Sequence, residues 1–359
     1  MGKRKMSGIM ATCATAIIIF DTKTVISGAQ EGIQLCLQTI IPALFPFIIL
    51  SGIINSALLG QPVKLLRPLG KLCKIPNGAE SLLLLGFLGG YPVGAQTITQ
   101  AYKDGSLLPN TAKRLLGFCN NAGPAFLFGI FSVIFSRKMI LWALWIIHIL
   151  SALAVGLLLP GESESICKIR KQQPTTIPKA VQNAIKTTAY ICGWVVIFRI
   201  ILCLCNKWIL WRLAPNIQVL LSGILELSNG CVLLQKISSE NIRFLYASGI
   251  LAFGGLCVMM QTNSVTQDLG FGYYFPGKIL QTLIALLLSL IIQPFLFRNI
   301  NFILYLPVIL VLLLLIGMTI CLLYRKKLWH LQEKCCIIPV KSGRREQLYA
   351  VSKKDYPIM

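Results

Sequence analysis

Residues 302–324 contain no charged side chain, and comparable apolar blocks recur along the chain over 33–59, 139–159 and 279–297. A helix crossing the hydrocarbon core of a bilayer needs about 20 mostly apolar positions. A soluble core has no use for blocks of that length. Composition agrees: 55% of residues are hydrophobic and 13% charged, where a soluble domain carries about a quarter charged residues. Outer-membrane barrels alternate polar and apolar side chains at every second position, and these blocks do not. In lipid the backbone must satisfy its own hydrogen bonds, so continuous apolar blocks become helices. The sequence predicts an all-α polytopic membrane protein whose first partner is the lipid bilayer.

The formal net charge of +22 invites a nucleic-acid reading, but the basic residues stand at the ends of apolar blocks, in short loops and in the C-terminal tail. That placement orients spans against a membrane, and no basic domain interleaved with aromatics is present. No nucleic-acid partner is expected. Most of the 13 cysteines lie inside apolar blocks, where Cys behaves as a small hydrophobe. His148 and His330 are far apart and no spacing supplies four zinc ligands, so neither a metal site nor a cofactor is expected.

Lys3-Arg4-Lys5 precedes an apolar stretch over 6–20, read as a retained signal-anchor span; cleavage near Ser27-Gly28-Ala29 is the alternative. Both readings leave the N-terminus cytoplasmic. Block 33–59 returns to a loop with Lys64, Arg67, Lys71 and Lys74. Residues 79–99 then run through Gly86-Phe87-Leu88-Gly89-Gly90-Tyr91-Pro92-Val93-Gly94, a composition that breaks a helix. Broken backbone at membrane depth survives only inside protein or against a cavity, which predicts a re-entrant hairpin. Crossings follow over 112–135, 139–159 and, after a basic linker, 184–206. A second hairpin over 219–235 breaks at Leu227-Ser228-Asn229-Gly230. Crossings over 242–261, 279–297 and 302–324 lead to the basic tail. This arrangement puts roughly three quarters of the 34 Lys and Arg residues on the cytoplasmic side, the bias expected of a correct topology.

The expectation is therefore about eight transmembrane helices plus two re-entrant hairpins in an inverted repeat. Its parts are an N-terminal span (1–27), a first repeat (28–160), a cytoplasmic linker (161–180), a second, inverted repeat (181–298), a last span (299–324) and a cytoplasmic tail (325–359). The halves echo each other at Gly86-Phe87-Leu88 and Gly223-Ile224-Leu225, and at Arg114-Leu115-Leu116 and Arg243-Phe244-Leu245. Inverted halves, each with a broken segment at a corresponding place, are the sequence signature of secondary transporters.

Four polar clusters fall inside apolar blocks: Gly90, Tyr91, Pro92, Gly94 and Gln96; Asn120, Asn121 and Gly123; Ser228 and Asn229 beside Glu226; and Gly254, Gly255 and Gln261. Unpaired polar groups cost several kcal/mol each in an apolar medium. Close helix packing and interhelical bridging would explain any one of them. Four in matching places point to a central substrate site. Glu226 admits two roles, as a proton- or sodium-coupling carboxylate or as a helix cap; a mid-membrane charge costs about 2.5–3.5 kcal/mol on insertion scales, which suggests use. Arg199 is a possible anion contact or a partner of Glu226, or it snorkels outward. His148 reads as a helix-packing residue.

The stretches Gly86 to Ala95, Leu115-Leu116-Gly117-Phe118-Cys119-Asn120-Asn121-Ala122-Gly123-Pro124, Glu226-Leu227-Ser228-Asn229-Gly230 and Phe253-Gly254-Gly255-Leu256, with Ile41-Pro42-Ala43-Leu44-Phe45-Pro46-Phe47 upstream, resemble the YlbJ family of sporulation integral membrane proteins. The resemblance runs from about Gly28 to Phe297, and the Cys-Asn-Asn-x-Gly-Pro stretch is its most specific element. That family belongs with the nucleoside-recognition, or Gate-domain, membrane proteins, akin to concentrative nucleoside transporters. The resemblance implies an endospore former, a place in the outer forespore membrane, and movement of the small anion dipicolinate toward the spore. The expected function is thus secondary transport of a small polar or anionic solute. A nucleoside transporter and a non-transporting scaffold for spore-envelope assembly are the alternatives. An enzyme is not expected: the sequence offers no paired carboxylates, no His-Glu-x-x-His helix and no activated nucleophile.

Overall fold

A computed structural model describes residues 3–161, 175–266 and 269–297, with isolated positions between 310 and 318. Fifteen helices occur among the described residues. The chain opens with α1 (Lys3–Phe20) and α2 (Thr22–Leu35), which runs through a π-helical turn at Cys36–Ile40 into α3 (Ile41–Leu58). This composite helix bends by 53° between its halves. Pro42 and Pro46 lie just beyond the bend, and proline removes backbone donors where a helix kinks.

Short α4 (Arg67–Leu72) leads to a hairpin of α5 (Glu80–Leu88) and α6 (Val93–Lys103). At roughly 1.5 Å per residue these helices are about 14 and 17 Å long, too short for a hydrocarbon core of about 30 Å. A partly buried ion pair anchors the base of the hairpin: Arg67 donates to the buried Glu80 Oε1 at 2.7 Å, and the Gly78 amide to Oε2 at 2.9 Å. Next come α7 (Pro109–Leu116), α8 (Pro124–Phe131), α9 (Lys138–Leu158) and α10 (Ile177–Trp208). A second hairpin pairs α11 (Pro215–Leu225) with α12 (Leu227–Leu233). The chain continues through α13 (Glu240–Phe253), α14 (Gly255–Val265) and α15 (Tyr274–Phe297).

Four helical stretches are long and apolar enough to cross a bilayer: Lys138–Leu158, Ile177–Trp208, Glu240–Val265 and Tyr274–Phe297; the bent α2–α3 pair makes a fifth. The protein is a helical membrane protein, but eight continuous crossings are not seen among the described residues. The expected crossing over 112–135 is two short helices separated by extended chain, because Gly117, Gly123 and Pro124 interrupt it. α1 is helical as expected, but only Ala11–Phe20 is apolar. The linker over 162–174 and nearly all of the last span and tail lie outside the described residues.

The first hairpin turns at Gly89-Gly90, inside the expected glycine-rich break; the second turns at Glu226, and the expected break at Leu227-Ser228-Asn229-Gly230 is instead the first turn of α12, whose free amides the Glu226 carboxylate caps. Gly86 of α5 and Gly94 of α6 straddle the backbone of Cys119, and a Cβ on either would run into its carbonyl. Gly230 of α12 packs equally closely on the backbone of Gly223 in α11. α15 packs against α9 and α13, and α10 against α2 and α3. Three apolar clusters fill the interior. One joins Leu82, Ala95, Leu115 and Val155 near the first hairpin; another joins Phe131, Leu144, Cys231 and Phe244 near the second. A third, with Ile48, Ala184, Val195 and Cys257, seats α10 on α3 and α14.

Candidate functional site

Each hairpin is packed against a break in another part of the chain. The connection of the first hairpin meets the extended α7–α8 connection: Gly90, at φ +77°, lies against the amide of Gly123. Glu226, the connection of the second, lies beside the α13–α14 junction, where Gly255 packs on the backbone of Gly223 and Leu227. That junction needs two successive left-handed residues, Gly254 at φ +81° and Gly255 at φ +82°, a conformation glycine adopts at no steric cost. Tyr91 crosses between the two systems, its ring under Gly254.

A cavity of about 610 Å³ opens between these parts, within the range of about 300–1,000 Å³ usual for small-molecule sites. Its walls include Gly90 and Tyr91 from the first hairpin, Ala122 and Gly123 from the α7–α8 connection, and Glu226, Leu227 and Ser228 from the second hairpin. Val258 and Gln261 of α14, Gln38 and Thr39 of the π-helical turn, and Ile191 and Val195 of α10 complete it, together with one open side of α8. The lining is mainly apolar, with scattered amide and hydroxyl groups, and neither Lys nor Arg is among it.

Of the residues singled out from sequence, Gly90, Tyr91, Gly123, Glu226, Ser228 and Gln261 line the cavity. The others stand behind its walls. Pro92 and Gly94 begin α6, and Gln96 lies on the same helix, half-buried. Asn120 is fully buried; its Oδ1 accepts from the Ala95 amide at 3.2 Å and its Nδ2 donates to Thr262 at 3.0 Å. Asn121, equally buried, donates to the Phe118 carbonyl at 2.7 Å. Gly254 and Gly255 form the α13–α14 junction. The two asparagines thus brace the break instead of facing a solute.

Glu226 is the N-cap of α12: Oε1 accepts from the Ser228 amide at 2.9 Å and Oε2 from the Asn229 amide at 2.6 Å. A carboxylate at a helix N-terminus satisfies free amides and complements the dipole. Both oxygens are engaged, and one flank still borders the cavity. The hydrogen bonds of Arg199 go to Glu31 and Asn229 and not to Glu226. Arg199 donates to Glu31 Oε2 at 3.0 and 2.5 Å from two nitrogens and to the side-chain carbonyl of Asn229. His148 of α9 accepts from the Ala122 amide through Nε2 at 3.2 Å, so its packing role includes holding the break.

Two partners escaped the sequence. Glu31, in α2, is the counter-ion of Arg199. Lys278 is the larger omission: the charge pattern places it in a cytoplasmic loop just before a span beginning at 279, but α15 begins at Tyr274 and buries Lys278 completely. Its Nζ donates to Tyr91 Oη at 3.0 Å, Asn121 Oδ1 at 3.1 Å and Gln281 Oε1 at 2.8 Å. The spacing of Lys278 and Gln281, three apart on one helical face, was the available signal.

Among the described residues no group of His, Cys, Asp and Glu could hold a metal ion. The chain is similar to the sporulation integral membrane protein YlbJ of Bacillus subtilis (strain 168), 24% identical over 334 residues, a match covering 78% of this chain and 82% of that relative. No family model and no solved structure matches it.

Proposed function

The chain belongs to the YlbJ family of sporulation integral membrane proteins, and from that premise we propose that it is a secondary transporter whose solute binds in the cavity between the two hairpins. One observation carries the reading: the connections of both hairpins and the interrupted α7–α8 segment meet at a single cavity of about 610 Å³. Irregular backbone in a membrane protein is tolerated where it lines a cavity, and transporters place such segments at their binding sites. A scaffold would have no use for so large a cavity at the meeting point of three breaks. The inverted repeat belongs to this reading, with the hairpins entering from opposite sides.

Dipicolinate is the solute we propose, moved during endospore formation across the outer forespore membrane. Its flat aromatic ring suits apolar walls, and its carboxylates suit donors such as Ser228, Gln261 and Tyr91. The wall lacks Lys and Arg, and that observation favours a second reading, a neutral nucleoside. Uptake of labelled dipicolinate and of labelled uridine into proteoliposomes separates the two. Gly129→Trp is the accompanying control: Gly129 lines the cavity with open space at its Cβ position, so an indole there fills the site. Dipicolinate uptake by the unmodified protein, lost in Gly129→Trp, is the expected result. Uptake of neither solute would remove the transporter reading.

A further inference from the structure

Lys278 is a fully buried lysine with no carboxylate paired to it among the described residues. Ion pairs among the described residues include Arg67–Glu80, Arg137–Glu240, Arg199–Glu31 and Lys207–Asp21. Lys278 instead has three neutral acceptors from three parts of the fold: Tyr91 in the first hairpin, Asn121 in the α7–α8 connection, and Gln281 on α15. Intramembrane ionisable residues are costly and are kept where they serve a pathway.

The orientation of the partners is fixed. The Gln281 amide nitrogen donates to Asn121 Oδ1 at 3.0 Å and to the His148 carbonyl at 3.3 Å, so its oxygen is the atom facing Lys278. Asn121 likewise spends its amide nitrogen on the Phe118 carbonyl. Three acceptors match the three N–H donors of an ammonium. A neutral amine has two donors and one lone pair. The amide oxygens can only accept; the Tyr91 hydroxyl alone can either accept from the ammonium or donate to the amine. Tyr91 also lines the solute cavity. The ring of partners is therefore complete in both protonation states, and the group that changes its role is the one in contact with the cavity.

The other ionisable groups facing Lys278 are Cys119 from the α7–α8 connection, His148 from α9 and Tyr274 one turn back on its own helix. Arg114 of α7 is held by the Gly156 and Leu159 carbonyls. On α13, Glu240 is held by Arg137, and Arg243 by the Ile134 and Ile237 carbonyls.

We propose that Lys278 is the proton-coupling residue of the transporter, exchanging its proton with the cavity through the Tyr91 hydroxyl. When an anion enters, a proton from bulk solvent, carried through cavity water as hydronium, passes to the Tyr91 oxygen while the hydroxyl's own proton passes to Lys278 Nζ. When the anion leaves, the reverse transfer returns one proton to water. The ammonium one layer behind the wall then supplies the positive charge that the wall itself lacks. This inference rests on the transport reading above.

The test uses the full chain in proteoliposomes containing a pH-sensitive dye, with dipicolinate as the probe. The unmodified protein is expected to move protons together with dipicolinate and to accumulate it against its gradient when a pH gradient is imposed. Lys278→Gln is expected to lose both proton movement and accumulation, so that dipicolinate only equilibrates. Tyr91→Phe keeps the ring and removes the relay, and is the variant to read if Lys278→Gln does not reach the membrane; its proton movement should slow about a hundredfold or more, the scale of a lost acid–base relay. Dipicolinate transport without proton movement in the unmodified protein overturns the coupling proposal and leaves transport standing. Wild-type proton stoichiometry in Lys278→Gln, or wild-type proton rates in Tyr91→Phe, also overturns it. No dipicolinate or proton movement in any sample overturns the coupling proposal together with the dipicolinate reading, and transport itself falls if labelled uridine is not taken up either.

Discussion

Asn120 Nδ2 donates to the hydroxyl of Thr262 at 3.0 Å, joining residues 142 positions apart in the chain. The bond ties the α7–α8 break to α14, directly behind the cavity. Asn120 is fully buried and so is Thr262. Neither group has water to fall back on, and the amide also accepts from Ala95 of the first hairpin.

That bond predicts an asymmetric pair of mutants. Thr262→Val removes the hydroxyl that accepts from Asn120 and should cost about 1–2 kcal/mol; Asn120→Leu takes a partner from both Thr262 and the Ala95 amide and should cost about 3 kcal/mol. Thermal unfolding in detergent, read as a double-mutant cycle, should give a coupling of about 1 kcal/mol between the two positions. Additive losses would mean that the bond contributes nothing.

Glu226 is the residue whose two readings separate most cleanly. As the cap of α12, Glu226→Gln keeps one acceptor oxygen and should lose about 1 kcal/mol, and Glu226→Ala, without either, about 2 kcal/mol. Gradient-driven accumulation of dipicolinate by Glu226→Gln should persist. If accumulation disappears while dipicolinate exchange survives, the carboxylate is itself the coupling group.

Arg199 bridges Glu31 on α2 to Asn229 on α12 with a forked guanidinium. Lysine carries the same charge on a single nitrogen and cannot reproduce the fork. Arg199→Lys should therefore lower the melting temperature almost as far as Arg199→Met, a loss of about 1–2 kcal/mol for the partly buried pair. A lysine variant indistinguishable from the unmodified protein would fit an arginine that merely reaches for the membrane surface.

The proposed inverted repeat makes a prediction about sidedness. Single cysteines at Lys103, at the end of α6, and at Ser239, the residue before α13, placed in a cysteine-free chain, should react with impermeant maleimide from opposite faces: cytoplasmic for Lys103, external for Ser239. Reaction from one face only would leave two hairpins without the inversion.

The sequence by itself determined the class of the protein and some of the places where its helices break. Long apolar blocks leave helices as the only way to satisfy backbone groups in lipid, and Gly89-Gly90 with Pro92 and the Cys119 to Pro124 stretch interrupt them by local backbone chemistry, whereas the break at Gly254-Gly255 falls inside 242–261, which reads as one crossing. Those signals act within a few residues, so they can be read without knowing what lies nearby. Whether an interrupted block still crosses the membrane was not local: 112–135 has the apolar content of a span but forms two short helices whose exposed backbone is completed by His148 and the first hairpin. Tertiary structure also decided which polar residues face the solute. Asn120 and Asn121 look like site residues by composition, yet their bonds turn them inward to Ala95, Thr262 and Phe118. Lys278 looks like a loop charge because hydropathy cannot weigh one lysine at the first turn of a helix against the acceptors that meet it. Those acceptors come from residues 91, 121 and 281, and only folding places them within 3.1 Å of one nitrogen.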